Sequence, residues 1–238
     1  MAGLVRERIP TESDLRAIRR TLAALREEGL VHRIPYIDLN RETGGPTAAW
    51  GLSDRAVASV DLSRHGAKTF DEHSERTLDH ELGISRFHMA LKRGCDARGL
   101  ALHWRQTDLK HAIHPDALAA ITDPAKPEDA NTNWFFVEIE RAKLGAYDAA
   151  REPSIIRKLA RYYDHFNSTD CERAWGIRQF RVLVILSSEG RRSNLLERLR
   201  AAFDHRMFLL ATEGNCRDDL SQPVFATTKD TAVSIFDL

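Results

Sequence analysis

No run of apolar residues in the chain approaches the roughly 18 that a membrane-spanning helix needs, so insertion into a bilayer is not expected. The opening stretch "MAGLVRERIPTESD" has no apolar core of the secretory kind, which excludes a signal for export and makes the cytoplasm the expected address. Cysteine is scarce: Cys95, Cys171 and Cys216 are scattered and form no C-x-x-C pair, which argues against a disulfide framework or a zinc knuckle and for reduced, packed thiols. An excess of either charge is also lacking. Lys and Arg total 35 against 35 Asp and Glu, so bulk basicity gives no argument for nucleic acid, and any such surface must come from local sorting of charge. There is no internal repeat and no low-complexity tract. What is present is 238 residues with 42% apolar content, enough for a real core in one large or two modest domains.

The first third has the order helix, stop, two extended segments. In "TESDLRAIRRTLAALREEGLVHR", Thr11 and Ser13 offer capping oxygens, Glu12 and Asp14 suit the positive helix end, and Gly29 ends it. Leu15, Ile18, Leu22 and Leu25 recur at helical spacing. "VHRIPYIDL" and "TAAWGLSD" follow as short strands joined by the turn-rich "NRETGGP". That order is the one of a winged helix-turn-helix, expected over residues 1–62 with "SDRAVASVDL" as a closing helix. Arg16, Arg19, Arg20 and Arg26 would then face DNA, with Arg41 on the wing; the alternative is an amphipathic helix whose arginines are solvated or paired with Glu27 and Glu28. Only about ten residues precede the helix, so the usual leading helices are short or missing.

A polar linker is expected near residues 63–70, and a second domain over 71–238. It opens with a helix from about residue 71 to 95, carrying Leu78, Leu82, Phe87 and Leu91. Three strands follow in "LALHWRQT", "HPDALAAIT" and "NWFFVEIER", then a helix "EPSIIRKLARYYDHF", a strand "QFRVLVILSS", an ordinary amphipathic helix "RRSNLLERLRAAFD" and a strand "MFLLATE". The fold class is therefore mixed α/β (α+β), with the order α-β-β-β-α-β-α-β in this part.

The stretch "WFFVEIERAK" is the most informative. Glu138 and Glu140 lie two apart on a strand and so share a face with Trp134 and Phe136. Like charges that close raise each other's pKa unless a cation stands between them, and Mg²⁺ is bound by one or two carboxylates plus water. Upstream, Pro115 in "HPDA" cannot donate to a ladder, so Asp116 sits where a strand starts or bends, at an edge.

"HPDA" followed by "FFVEIERAK" in an α-β-β-β-α-β order resembles the PD-(D/E)-x-K nuclease superfamily, the restriction-endonuclease-like fold. The resemblance implies a metal, Mg²⁺ or Mn²⁺, held by Asp116 and Glu138, with Glu140 in the position of the motif's lysine. That departure leaves the general-base role open and turns attention to Lys143 or Lys158 for the missing positive charge. Over nearly the full length, the winged helix, "TFDEHSERTLDHELGISRFHMAL", "HPDA", "NWFFVEIERAK" and "PSIIRKLARYYDHF" together resemble the replication-relaxation family of plasmid and mobile-element proteins, which includes MobC-class conjugative relaxases. The resemblance implies binding near a transfer or replication origin, a metal-dependent nick of one strand, and accessory relaxosome proteins and a coupling factor as partners. A homodimer is compatible with it.

Phosphodiester cleavage needs charge on the phosphate oxygens stabilised and an oxygen nucleophile made competent. Asp116, Glu138 and Glu140 are the expected metal set; His80, beside Glu81, would supply a proton or a further ligand, and His114 would share the face of Asp116, although each histidine also has a purely structural reading. Relaxases that attack through tyrosine use a histidine-hydrophobic-histidine motif, which none of the ten histidines forms. Ile155, Leu159, Tyr162 and Phe166 fall at helical spacing, making Tyr162 a core residue and leaving Tyr163 a weak nucleophile candidate. Arg105, Lys110, Arg141, Lys143, Arg157, Lys158 and Arg161 would neutralise phosphates flanking the cut, or form a solvated face. Two rival readings remain: a DNA-binding regulator or initiator that has lost catalysis, favoured by Glu140 in place of lysine, and a restriction-type endonuclease.

Overall fold

The computed structural model describes residues 12–37, 46–59, 75–106, 113–128, 130–140, 152–218, 220–229 and 231–238. Arg41, Lys110, Arg141, Lys143 and the linker expected at 63–70 lie outside the described residues. The protein is mixed α/β and forms two compact units, Met1–Leu78 and Asp79–Leu238.

The first unit contains α1 (Glu12–Glu27), β1 (Val31–Ile37), β2 (Pro46–Leu52) and α2 (Asp54–Ser59). Helix α1 stops because Gly29 adopts φ 70°, letting the Leu30 amide return to the Leu25 carbonyl at 2.9 Å and its own amide to Arg26 at 3.0 Å. This double closure satisfies carbonyls that the helix leaves open, and it favours glycine because a Cβ is strained there. Strands β1 and β2 pair antiparallel, with Val31 opposite Leu52. Ser53 then starts α2: its Oγ accepts from the Ala56 amide at 3.2 Å and donates to the Gly29 carbonyl at 2.7 Å, tying the helix stop to the end of the hairpin. Along α1 the apolar stripe is unevenly covered. Leu22 and Leu25 are half-buried, whereas Leu15 and Ile18 are exposed, as are Arg16, Arg19, Arg20 and Arg26.

The second unit begins within α3 (Glu75–Asp96) and continues through β3 (Ala101–Arg105), β4 (Ala117–Thr122), β5 (Thr132–Glu140), α4 (Glu152–Phe166), α5 (Asp170–Trp175), β6 (Arg181–Leu186), α6 (Glu189–Ala202), β7 (Phe208–Thr212), α7 (Asn215–Asp218), β8 (Phe225–Ala226) and β9 (Ala232–Val233). The eight elements expected from the sequence are all there, joined by α5, α7, β8 and β9. The strands form one sheet in the order β3-β4-β5-β6-β7-β8-β9. Pairing is antiparallel from β3 to β5, parallel from β5 to β7, and antiparallel again to β9.

Both faces of this sheet are covered, which is why β6 is apolar without alternation from Val182 to Leu186. One face packs Phe135, Val137, Ile139, Leu183 and Ile185 against Ile84, Phe87 and Leu91 of α3. The other packs Phe136, Val182, Val184 and Leu210 against Leu159 and Tyr162 of α4 and Leu195 and Leu199 of α6. Burial of this kind contributes about 1.5–3 kcal/mol for each large side chain. The three cysteines are buried free thiols, and burial pushes Cys95 up to about 11 and Cys171 and Cys216 up to about 12. No helix among the described residues is long and apolar enough to cross a membrane.

Candidate active site

Register brings the two acidic motifs together. Ala117 of β4 lies opposite Val137 of β5, so Asp116, one residue earlier, stands beside Glu138. The Asp116 amide donates to the Val137 carbonyl at 3.0 Å, and its Oδ2 accepts from the Ile139 amide at 2.7 Å. Asp116 does sit where its strand begins, just after the buried Pro115, yet β4 is an interior strand between β3 and β5 rather than an edge. Likewise β5 is central, so Glu138 and Glu140 are not on a solvent-facing edge strand. Glu138 points to the face covered by α4 and is only 3% exposed.

A buried carboxylate costs several kcal/mol unless its charge is met. Two side chains of α4 meet it: Lys158 Nζ donates to Glu138 Oε2, and the Tyr162 hydroxyl donates to Oε1. Lys158 and Tyr162 are four apart in the helix and therefore share one face, one above the other. Burial pushes the Glu138 carboxyl up to about 7; the Lys158 charge pulls it down, Asp116 pushes it up, and the bonds from Lys158 and Tyr162 pull it down again. The same burial and the neighbouring Glu138 charge hold the Tyr162 phenol well above its ordinary value. On the other carboxylate, His80 Nε2 of α3 lies 3.1 Å from Asp116 Oδ1. That bond holds the His80 imidazole above its ordinary pKa, against the opposing effect of burial. Glu81 accepts from Gln106 Nε2 at 2.7 Å.

The structure thus joins Asp116, Glu138, His80, Lys158 and Tyr162. Glu140 shares the face of Glu138 but sits further along, half-exposed, with Arg191 Nη2 at 3.8 Å from its Oε1. Among the described residues, no group of three His, Cys, Asp or Glu side chains is arranged to hold a metal ion. Asp116 and Glu138 remain as two adjacent carboxylates on neighbouring strands. His114 is exposed, as are Arg105, Arg157 and Arg161. Tyr163 is half-buried, its ring 5.2 Å from Phe203 and 5.7 Å from His205. Sequence reasoning assigned Tyr162 to the core, where it is, but missed the bond from its hydroxyl; the i, i+4 spacing from Lys158 was the available signal.

Fold and site together define a mixed α/β protein with a buried acidic centre at the carboxyl end of a central strand. The replication-relaxation family model matches residues 4–179, and the chain belongs to that family, which points to a role in replication or mobilisation. The matched stretch contains all five residues of the centre. No curated protein and no solved structure matches the chain.

Proposed function

We propose that the protein is a relaxase that binds DNA at a transfer or replication origin and nicks one strand with the help of Mg²⁺ or Mn²⁺ held by Asp116 and Glu138. The observation that carries this reading is the adjacency of the two carboxylates on neighbouring strands, one bonded to a histidine and the other to a lysine. Two carboxylates are a donor set that Mg²⁺ accepts, with water completing its shell. Each carboxylate oxygen here already receives one hydrogen bond and keeps a further lone pair for a cation. When bound, the cation would supply Lewis-acid stabilisation of the charge that develops on the phosphate oxygens.

The chain's own residues divide the remaining work. Lys158 brings to Glu138 the positive charge that Glu140 cannot supply from the motif's lysine position, and it is exposed enough to reach a phosphate oxygen. Tyr162 fixes the rotamer of Glu138. His80, with its pKa raised and its side chain a third exposed, holds a proton for the departing oxygen. Arg16, Arg19 and Arg20, exposed on α1, would contact DNA in a winged helix-turn-helix over residues 1–62, with Arg41 on the wing. Arg157 and Arg161, exposed on the helix that carries Lys158, would meet flanking phosphates, together with Arg141 and Lys143. The order α3-β3-β4-β5-α4-α5-β6, in which only the short α5 departs from an α-β-β-β-α-β pattern, supports a restriction-endonuclease-like domain. Accessory relaxosome proteins and a coupling factor complete the proposal as partners.

Two observations favour a second reading, a DNA-binding regulator without catalysis: Glu140 occupies the lysine position, and every oxygen of Asp116 and Glu138 has a protein partner. Incubation of supercoiled origin DNA with Mg²⁺ or Mn²⁺ separates the two. Open circles from the wild type and none from Glu138→Ala support the relaxase. Linear product points to a restriction-type endonuclease, and intact DNA with binding retained points to the regulator.

A further inference from the structure

With the cation assigned to Asp116 and Glu138, Glu140 is left without a task, and so is Arg191, whose Nη2 lies 3.8 Å from Glu140 Oε1. The sheet builds this meeting. Strands β5 and β6 run parallel, and Glu140 pairs with Leu186, the last residue of β6. The chain leaves Leu186 through Ser187 and Ser188 and enters α6 at Glu189, which sets Arg191 beside the carboxyl end of β5. The neighbouring Arg192 pairs instead with Glu189 of its own helix, so Arg191 is the one paired across to the strand.

Along one face of β5, two carboxylates thus each meet a cation from a different helix: Glu138 meets Lys158 of α4, and Glu140 meets Arg191 of α6. The two glutamates are two residues apart, about 7 Å of strand. Their pairs differ in burial. Glu138 is enclosed, whereas the Glu140 and Arg191 side chains are 35% and 40% exposed. An exposed pair contributes little to stability, so stability does not account for it. A guanidinium presents five donors in a planar fork, more than one carboxylate oxygen can take up, and it stays charged at every working pH. Such a group, half in solvent beside the acidic centre, suits an oxygen-rich anion.

We propose that Arg191 binds a backbone phosphate of the DNA beside the one being cut, and that Glu140 is the positioning residue that aims it. This assignment rests on the DNA-nicking reading and carries it beyond residues 4–179, since Arg191 follows that stretch. Glu140 thereby acts next to the acidic centre without holding the metal.

The test measures affinity of the full chain for an origin duplex between about 50 and 200 mM salt. Arg191→Gln is expected to weaken binding about tenfold and to make the log–log salt slope shallower by about 1, with Mn²⁺ binding as in the wild type. Arg191→Lys keeps the charge and loses the fork, so it should keep the slope and lose only part of the affinity. It also serves if thermal melting shows that Arg191→Gln is not folded. Arg173→Gln, on the exposed surface of α5, is expected to bind as the wild type does. Glu140→Gln separates aiming from simple repulsion of DNA. It is expected to weaken binding where Arg191 is present, and not where Arg191→Gln has removed the cation. Stronger binding in both backgrounds would overturn the role given to Glu140. Wild-type affinity and slope in Arg191→Gln, with the wild type binding and nicking DNA, would overturn the inference alone. A wild type that shows no salt-dependent binding would overturn the DNA reading and the inference with it.

Discussion

On the face of the large sheet that meets α3, Phe135, Val137, Ile139 and Leu183 pack apolar against apolar. On the face that meets α4, Glu138 stands among Phe136, Val184 and Tyr162, directly across from Val184 in the ladder. The first face illustrates what stability alone requires of a central strand. A valine at position 138 would serve a core equally well and would spare the protein a buried charge. The carboxylate is kept instead, with Lys158 and Tyr162 arranged to hold it, and Asp116 is delivered beside it by the register of β4. A charge maintained against its desolvation cost, on one face only, marks that face as the one with chemistry.

The contrast can be broken by substitution. Lys158→Met leaves Glu138 buried without its cation and should cost about 3–5 kcal/mol in urea unfolding near pH 8. The cost should shrink near pH 6. Glu138 has a folded pKa of about 7, above its unfolded value, and without Lys158 that pKa rises further. Between the two values the folded state binds more protons than the unfolded one, so stability falls as pH rises through that window. An equal cost at both pH values would mean that Glu138 is not the titrating partner.

Leu183→Ala, on the α3 face, should cost about 2–5 kcal/mol through lost burial and a cavity, with no change between the same two pH values. A pH dependence there would erase the distinction between the faces. Tyr162→Phe keeps the ring packing against Phe136 and removes only the bond to the carboxylate, which should cost about 1.5–3 kcal/mol. His80→Gln should cost about 1 kcal/mol at acidic pH and less at alkaline pH. The folded pKa of His80 is raised, so its contribution is fully present below the unfolded value and is lost as pH rises through the folded one. Glu140→Gln, half-exposed beside Arg191, should change stability by no more than about 0.5 kcal/mol.

Much of the framework was legible because it rests on local rules. Gly29 announced the end of α1, the apolar run "VLVIL" announced a strand, and the spacing of Leu159 and Tyr162 announced the inner face of α4. The short elements α5, α7, β8 and β9 are two to six residues long, too brief for a period to develop. The site divided the same way. Asp116 and Glu138 could be named from their motifs, but their adjacency depends on which residues of β4 and β5 pair, a choice made by turn geometry and packing across the sheet. The grip of Lys158 on Glu138 depends on how α4 lies over β5, and the meeting of Arg86 with Glu213 joins residues 127 apart in the chain. Long-range contacts of this kind leave no periodic trace.

The central claim is that Asp116 and Glu138, rather than the full set with Glu140, hold a divalent cation. Calorimetric titration of the whole protein with Mn²⁺ tests it most directly, using the wild type, Asp116→Asn and Glu140→Gln. The account predicts one binding site in the wild type, its loss in Asp116→Asn and its retention in Glu140→Gln. Binding by Asp116→Asn equal to that of the wild type would contradict it.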